Sequence, residues 1–295
     1  MRVAEALGET TTTLQAANVA VPRVDAELLV AFVAGVARGR LHTANDLNDD
    51  QVARLRELAR LRARHVPLQH LTGTAPFRHL DLAVGDGVFI PRPETELMVE
   101  WGLRWLRGQS EPADGPLVVD LCAGSGAIAA SVATELPAAR VVAVEREPAA
   151  LAWLRRNAEP HRVRVVDGDA VNPAVLADLD GTVDLVLTNP PYLPEIGAAG
   201  LPPEVIEHEP HQALFGGADG LAVIRPLIDR IGALLRPGGG FAMEHDETHA
   251  YVVPTLVAQD GRFTEVALHH DLARRPRFTT ATKAVAAQRV ADLPT

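Results

Sequence analysis

From residue 94 onward the chain alternates short aliphatic runs with amphipathic stretches, and that alternation limits the fold more than any other feature. Val118–Leu121, Val141–Glu145, Val163–Val166 and Val183–Thr188 are runs of strand length and strand composition. Between and around them, Glu94–Arg107, the segment running to Leu136, Pro148–Asn157 and Leu221–Leu235 carry apolar residues at helical spacing. Further strand-like runs follow at Gly240–Glu244, Phe263–Leu268 and Phe278–Thr282. Strands interleaved with helices predict an α/β fold with a mainly parallel, doubly wound sheet. In such sheets ligands sit at the carboxyl ends of the strands, so the chemistry is expected there.

The first 72 residues lack this pattern. Helical periodicity runs through Val3–Leu14, Asp25–Val36 and Val52–Leu61, punctuated by Pro22 and by Gly35–Gly39, with acids at Asp49 and Asp50 opening the third helix. We read residues 1–72 as a small helical domain, 73–93 as a linker and 94–285 as the α/β domain. Within the linker, Phe77–Val84 and Val88–Ile90 flank Gly85-Asp86-Gly87, which predicts a β-hairpin turning at those glycines.

Charge and cysteine content narrow the function classes. The net charge of -10 opposes a broad nucleic-acid grip, which needs clustered cations to release counterions. The arginines between Arg54 and Arg64 read as the solvated face of a helix. Cys122 is the single cysteine, so no intrachain disulfide can form. No signal-peptide pattern opens the sequence and no run approaches the ~18 apolar residues of a membrane helix, so a cytoplasmic, membrane-free protein is expected.

Two segments carry chemistry. Asp120-Leu121-Cys122-Ala123-Gly124-Ser125-Gly126 joins the first strand to its helix, and the glycines let the backbone approach a ligand. Gly124–Ala129 also fits G-x-G-x-x-A, so a nicotinamide enzyme has to be weighed. Asp120, Glu145 and Asp169, followed by Ala170, stand at three successive strand ends. There they suit a cationic methionine group, ribose hydroxyls and an adenine amino group better than a pyrophosphate, which favours S-adenosylmethionine over NAD. The second segment is Asn189-Pro190-Pro191-Tyr192, after the fourth strand. An amide or exocyclic NH2 is a poor nucleophile because its lone pair is delocalised. The Asn189 side-chain oxygen and the Pro190 carbonyl can accept its two hydrogens, Pro191 stiffens the turn, and Tyr192 offers a flat wall. The histidine pair in Glu244-His245-Asp246-Glu247-Thr248-His249 does not match a zinc-protease helix, and no metal is expected. His208, His211 and His269-His270 read as loop or surface residues.

Together these segments resemble the HemK/PrmC family of N5-glutamine methyltransferases. The likeness spans nearly the whole chain: Asp25–Leu29, Ile90-Pro91-Arg92-Pro93-Glu94-Thr95-Glu96, Asp120–Gly126, Asn189–Tyr192, Glu209-Pro210, Gly216–Leu221 and Leu235–Gly239. The resemblance implies a Rossmann-like class I methyltransferase domain with a seven-stranded, mainly parallel sheet. It implies S-adenosylmethionine contacts from Cys122, Ala123, Gly124, Ser125, Gly126, Glu145, Asp169, Ala170 and Asn189, beside Asp120. It implies that Asn189–Tyr192 binds a glutamine in the Gly-Gly-Gln motif of class I peptide chain release factors, with the N-terminal helices helping to dock them. A monomer without direct nucleic-acid contact is expected. Cys122-Ala123 replaces the family's usual Gly-Thr, and Ala170 replaces a bulkier residue. Glutamine methylation of a ribosomal protein, adenine-N6 methylation, an NAD-dependent reductase and an inactive binding module are the competing readings.

Overall fold

The computed structural model describes residues 1–110, 112–196 and 200–285. Two compact units emerge among the described residues: residues 1–75, 84–86 and 200–209 form one, and residues 76–83, 87–110, 112–196 and 210–285 the other. Neither unit is a single continuous stretch of chain. The periodic sequence blocks gave no sign that residues 200–209 belong with the N-terminal helices.

In the helical unit, α1 (Val3–Ala16), α2 (Pro22–Ala34), α3 (Asp49–Arg62) and α4 (Leu68–Thr72) enclose a core that includes Leu14, Leu29, Val30, Leu55 and Leu58. Asn48 caps α3 by accepting from the Gln51 amide, while the Gln51 side chain accepts from the Asn48 N–H. The arginine-rich face of α3 is solvated at Arg54, Arg56 and Arg60, but Arg62 departs from that reading. Its guanidinium is buried and ion-paired with buried Asp25 at 2.7 Å. Its other arm meets Glu204 at 2.7 Å, on the short helix Pro203–His208. Asp25→Ala leaves Arg62 with half-exposed Glu204 as its one charged partner beside the Val66 carbonyl, so a loss of about 3 kcal/mol is expected from the denaturant midpoint. Removing both charges with Arg62→Leu should recover part of that loss, which a double-mutant cycle reads directly.

Thr74–Phe77 (β1) and Leu80–Ala83 (β2) form a two-stranded sheet. The turn therefore lies at Arg78-His79, not at Gly85-Asp86-Gly87, and Val88–Ile90 is not a strand. Arg78 adopts a left-handed φ of 52°. Its backbone N–H donates to Glu96 at 2.9 Å and its guanidinium to Glu100 at 2.9 Å and to Glu135 at 2.7 Å. Three acids distant in sequence thus create a turn that local turn chemistry does not announce.

The second unit is built on a seven-stranded sheet. Its strands are β3 (Leu117–Leu121), β4 (Arg140–Glu145), β5 (Arg164–Asp167), β6 (Val183–Thr188), β7 (Leu235–Glu244), β8 (Phe263–His270) and β9 (Pro276–Lys283). The order is β5-β4-β3-β6-β7-β9-β8, with the first five parallel and β9 antiparallel to both neighbours. In β3, β4 and β6 the side chains alternate between two buried faces, which is why these strands read as continuous apolar runs. Val118, Ala143, Leu185 and Leu187 pack on one face, beneath α5 (Pro93–Arg107), α6 (Ala127–Glu135) and α7 (Pro148–Ala158). Val119, Val142, Val144 and Val186 face the other side, with α8 (Ile224–Leu234) and α9 (Val252–Gln259). The strand order reverses at β3, which lies between β4 and β6, so the crevice of the sheet opens above β3 and β6. Among the described residues no helix is long and apolar enough to cross a membrane.

Candidate active site

The turn from β3 into α6 passes repeatedly through left-handed backbone. Cys122, Gly124 and Gly126 all have left-handed φ values, of 60°, 54° and 83°. At Gly126, a Cβ would also stand 2.6 Å from the Leu154 side chain on α7, so glycine answers both conformation and close packing. A Cβ on Gly124 would meet nothing within 4 Å, so the space above the loop is open. Asn157, on α7, locks the loop from below. Its amide NH2 donates to the Ser125 carbonyl and the Ala83 carbonyl at 2.9 Å each, and its oxygen accepts from the Ala83 N–H. Ser125 and Ala123 are themselves nearly sealed from solvent. The Cys122 thiol is pushed well above its usual range by burial and by the charges of Glu145 and Asp120, so it stays protonated.

The three acids occupy three different settings. Glu145 ends β4 and accepts from the Gly124 N–H at 2.8 Å with one oxygen. Its other oxygen accepts from the Arg146 and Glu147 N–H groups at 2.8 Å each, which fixes the carboxylate against the glycine loop. Asp120 is 0% exposed; one oxygen accepts from the Ala129 N–H at 3.1 Å and the other, Oδ1, is buried without a partner. Burial, and then the nearby Glu145 charge, pushes its carboxyl well above the usual carboxylate range. Asp169 lies just past β5, accepting from the Val171 N–H at 3.1 Å and from Arg146 at 3.2 Å. Ala170 packs into the core face that holds Val144 and Leu176.

Asn189–Tyr192 leaves the end of β6, and β6 is the direct neighbour of β3. Leu121 pairs with Thr188, and the Thr188 hydroxyl donates to the Leu121 carbonyl at 2.7 Å. The tetrapeptide and the glycine loop therefore spring from adjacent strand ends. Asn189 Nδ2 lies 3.3 Å from the Thr95 hydroxyl oxygen in the first turn of α5. Thr95 donates to buried Glu244 at 2.7 Å, and the Tyr192 hydroxyl donates to the other Glu244 oxygen at 2.9 Å. Burial pushes the Glu244 carboxyl up, opposed by those two hydrogen bonds and by the Arg277 charge. Pro190 is buried. The Gly216–Gly220 segment backs the tetrapeptide: Leu193 N–H donates to the Leu214 carbonyl, and Gly216 N–H to the Leu193 carbonyl.

The histidines are committed elsewhere. His245 is fully buried, with Nδ1 donating to the Asp246 carbonyl and Nε2 accepting from Thr279, each at 2.9 Å. Burial pushes its imidazole down to about 4, so it is neutral near pH 7. His249 Nε2 donates to the Asp219 carbonyl. No group of three or more His, Cys, Asp or Glu side chains among the described residues has a metal-holding arrangement.

Residues 5–73 match the PrmC N-terminal domain and residues 106–207 the methyltransferase small domain. A release factor glutamine methyltransferase of Mycolicibacterium smegmatis is 50% identical, covering 96% of this chain and 98% of that protein. One from Streptomyces coelicolor is 47% identical, covering 95% and 97%. The chain belongs to the release factor glutamine methyltransferase family. A more divergent relative, a 4-amino-L-phenylalanine/4-methylamino-L-phenylalanine methyltransferase of Streptomyces pristinaespiralis, is 38% identical over 90% of each chain.

The protein is an S-adenosylmethionine-dependent methyltransferase, and its residues suit that cofactor. The open space over Gly124, the partnerless Asp120 oxygen and the acids at three strand ends suit a phosphate-free, cationic nucleoside. The sequence segments brought together here are those expected, Cys122–Gly126, Glu145 and Asn189–Tyr192, with Asp120 beneath the loop. Four neighbours gave no sequence signal of their own. Arg146 is the cation that faces Asp169, and Asn157 is the bolt under the loop. Thr95 and Glu244 lie within segments singled out for other reasons, the Pro-Glu-Thr-Glu run and the His pair.

Proposed function

We propose that the protein methylates the side-chain amide nitrogen of the glutamine in the Gly-Gly-Gln motif of class I peptide chain release factors. The observation that carries this reading is the juxtaposition of Asn189–Tyr192 with the glycine loop across the β3–β6 pair. Family membership adds the substrate class, since the relatives at 47–50% identity bear that name.

Cys122–Gly126, Glu145, Asp169-Ala170 and Asn189 would hold the cofactor, with Asp120 beneath them; when bound, S-adenosylmethionine supplies an electrophilic methyl group. The Asn189 side-chain oxygen and the Pro190 carbonyl accept the two N–H hydrogens of the glutamine amide. That fixes the nitrogen, whose positive charge grows as it is alkylated, between two oxygen dipoles. Pro191 restricts the backbone that aims the carbonyl, and the Tyr192 ring lines the planar amide. No side chain has to remove a proton first, because an alkylated amide nitrogen is acidic and loses its proton to water afterwards. The N-terminal helices dock the release factor, and the enzyme works in the cytoplasm as a monomer that needs no nucleic acid.

The test is incubation with labelled S-adenosylmethionine and a release factor, locating the label by mass spectrometry. Label on the Gly-Gly-Gln glutamine, lost when that glutamine is changed to alanine, is the expected result. Duplex DNA and 4-amino-L-phenylalanine run as parallel substrates; preferred transfer to either would overturn the assignment. Within the same assay, Glu145→Ala removes the acceptor of three loop N–H groups. Loosening them should weaken S-adenosylhomocysteine binding by about 10- to 100-fold in calorimetric titration, in keeping with about 1–3 kcal/mol per charged hydrogen-bond partner lost.

A further inference from the structure

The amide of an asparagine has two ends of nearly equal shape, and only one of them can accept a hydrogen from a substrate NH2. Its neighbours decide which end faces outward. Here the neighbours form a chain that can be counted hydrogen by hydrogen. Two hydroxyls donate to Glu244, that of Thr95 at 2.7 Å and that of Tyr192 at 2.9 Å, while the Arg277 charge acts on it in one sense and the Glu94 charge in the other. In its ionised form Glu244 only accepts, and it takes a hydrogen from each of the two hydroxyls. Thr95 has a single hydroxyl hydrogen, and Glu244 takes it. Toward Asn189, 3.3 Å away, the Thr95 oxygen can then only accept, so the Asn189 atom that meets it is the NH2 nitrogen. The Asn189 oxygen is left pointing away from Thr95.

We propose that Thr95 and Glu244 are positioning residues that fix the sense of the Asn189 amide, so that its oxygen rather than its NH2 is presented to the substrate. The proposal rests on the acceptor role given to Asn189 above. Turned over, the same side chain would present two hydrogens to a substrate nitrogen that also carries two, and the contact would be repulsive. The other arm of Glu244 ties Tyr192 into the same network, so one buried carboxylate holds both ends of the tetrapeptide. Thr95 sits in the first turn of α5, where Met98, Val99 and Gly102 anchor the helix in the core, so the relay is mounted on a rigid element.

Two measurements test it. In the methylation assay, Thr95→Val keeps the shape and removes the hydroxyl; kcat should fall by about 10- to 100-fold through lost orientation. S-adenosylhomocysteine affinity should stay close to that of the parent, the melting temperature should fall modestly because buried Glu244 loses a donor, and Thr95→Ser should restore both turnover, to within a few-fold, and stability. Glu244→Gln should also lower kcat, because its NH2 frees the Thr95 hydrogen to grip the Asn189 oxygen instead. Parental kcat in Thr95→Val, or no recovery in Thr95→Ser, overturns the relay. The second measurement needs no substrate: nuclear Overhauser contacts from the Asn189 side-chain NH2 to the Thr95 methyl, assigned by their loss in Asn189→Ala. Their presence supports the relay and their absence refutes it, even if the parent enzyme methylates no release factor. That last outcome would count against the proposed function alone.

Discussion

Replacing Asn189 with alanine is expected to lower kcat for release-factor methylation by about 10³-fold, the upper range for deleting one preorganised polar contact to a charge-developing centre. The side chain is placed by partners on three different elements: it follows β6, contacts Thr95 on α5, and stands one residue beyond the Thr188–Leu121 link to β3. Little of that framework depends on Asn189 itself. Its removal should therefore leave the melting temperature nearly unchanged and weaken S-adenosylhomocysteine binding by less than about tenfold, since the loop and Glu145 contacts persist. Single-turnover kinetics separates the two effects. A variant that bound cofactor normally and still turned over at near-parental rate would remove Asn189 from the chemistry.

A comparably large loss should follow Gly220→Ala, at a residue with no place in the transfer step. Gly220 has φ +75°, and a Cβ there would stand 2.3 Å from the Tyr192 carbonyl oxygen and 2.7 Å from the His249 ring. The left-handed backbone costs an alanine about 1–2 kcal/mol, and forcing atoms into packed backbone adds roughly 1–3 kcal/mol. The neighbour that has to yield is the end of the Asn-Pro-Pro-Tyr segment. We expect a stability loss of about 2–5 kcal/mol in the denaturant midpoint and a fall in kcat of tenfold or more at temperatures where the variant is folded. Gly181→Ala supplies the control. That glycine also has a left-handed φ, +71°, but a Cβ there meets nothing within 4 Å, so only the conformational cost should appear. Equal losses in the two variants would show that the contact with Tyr192 is unimportant.

The likeness of the two glycines in sequence and their difference in space illustrate how far local reading carries. Strands β3, β4 and β6 announced themselves because both of their faces are buried, which leaves unbroken aliphatic runs. The glycine loop and the tetrapeptide were legible because each needs special backbone chemistry at consecutive positions. The hairpin was misplaced for the opposite reason: Gly85-Asp86-Gly87 carries the stronger local turn signal, while Arg78-His79 turns only because Glu96, Glu100 and Glu135 hold Arg78. Arg62 likewise belongs to a run that reads as solvated, and its pairing with Asp25, 37 residues away, and with Glu204 takes it inside. Helices α8 and α9 differ in the same way. Leu221–Leu235 has a clear apolar stripe, whereas Val252–Gln259 is short and apolar on most sides, and its identity as a helix comes from packing.

The sequence alone determined the strand–helix alternation, the turn that opens toward a ligand and the residue types able to hold an NH2, because each of these is encoded within a few neighbouring residues. The tertiary structure decided which end of the Asn189 amide faces outward. That depends on Thr95 and Glu244, 149 residues apart, meeting in a buried place where every hydroxyl hydrogen has one destination. A hydrogen bond's direction is set by the groups at both of its ends, and no local pattern in the chain records which distant groups those are.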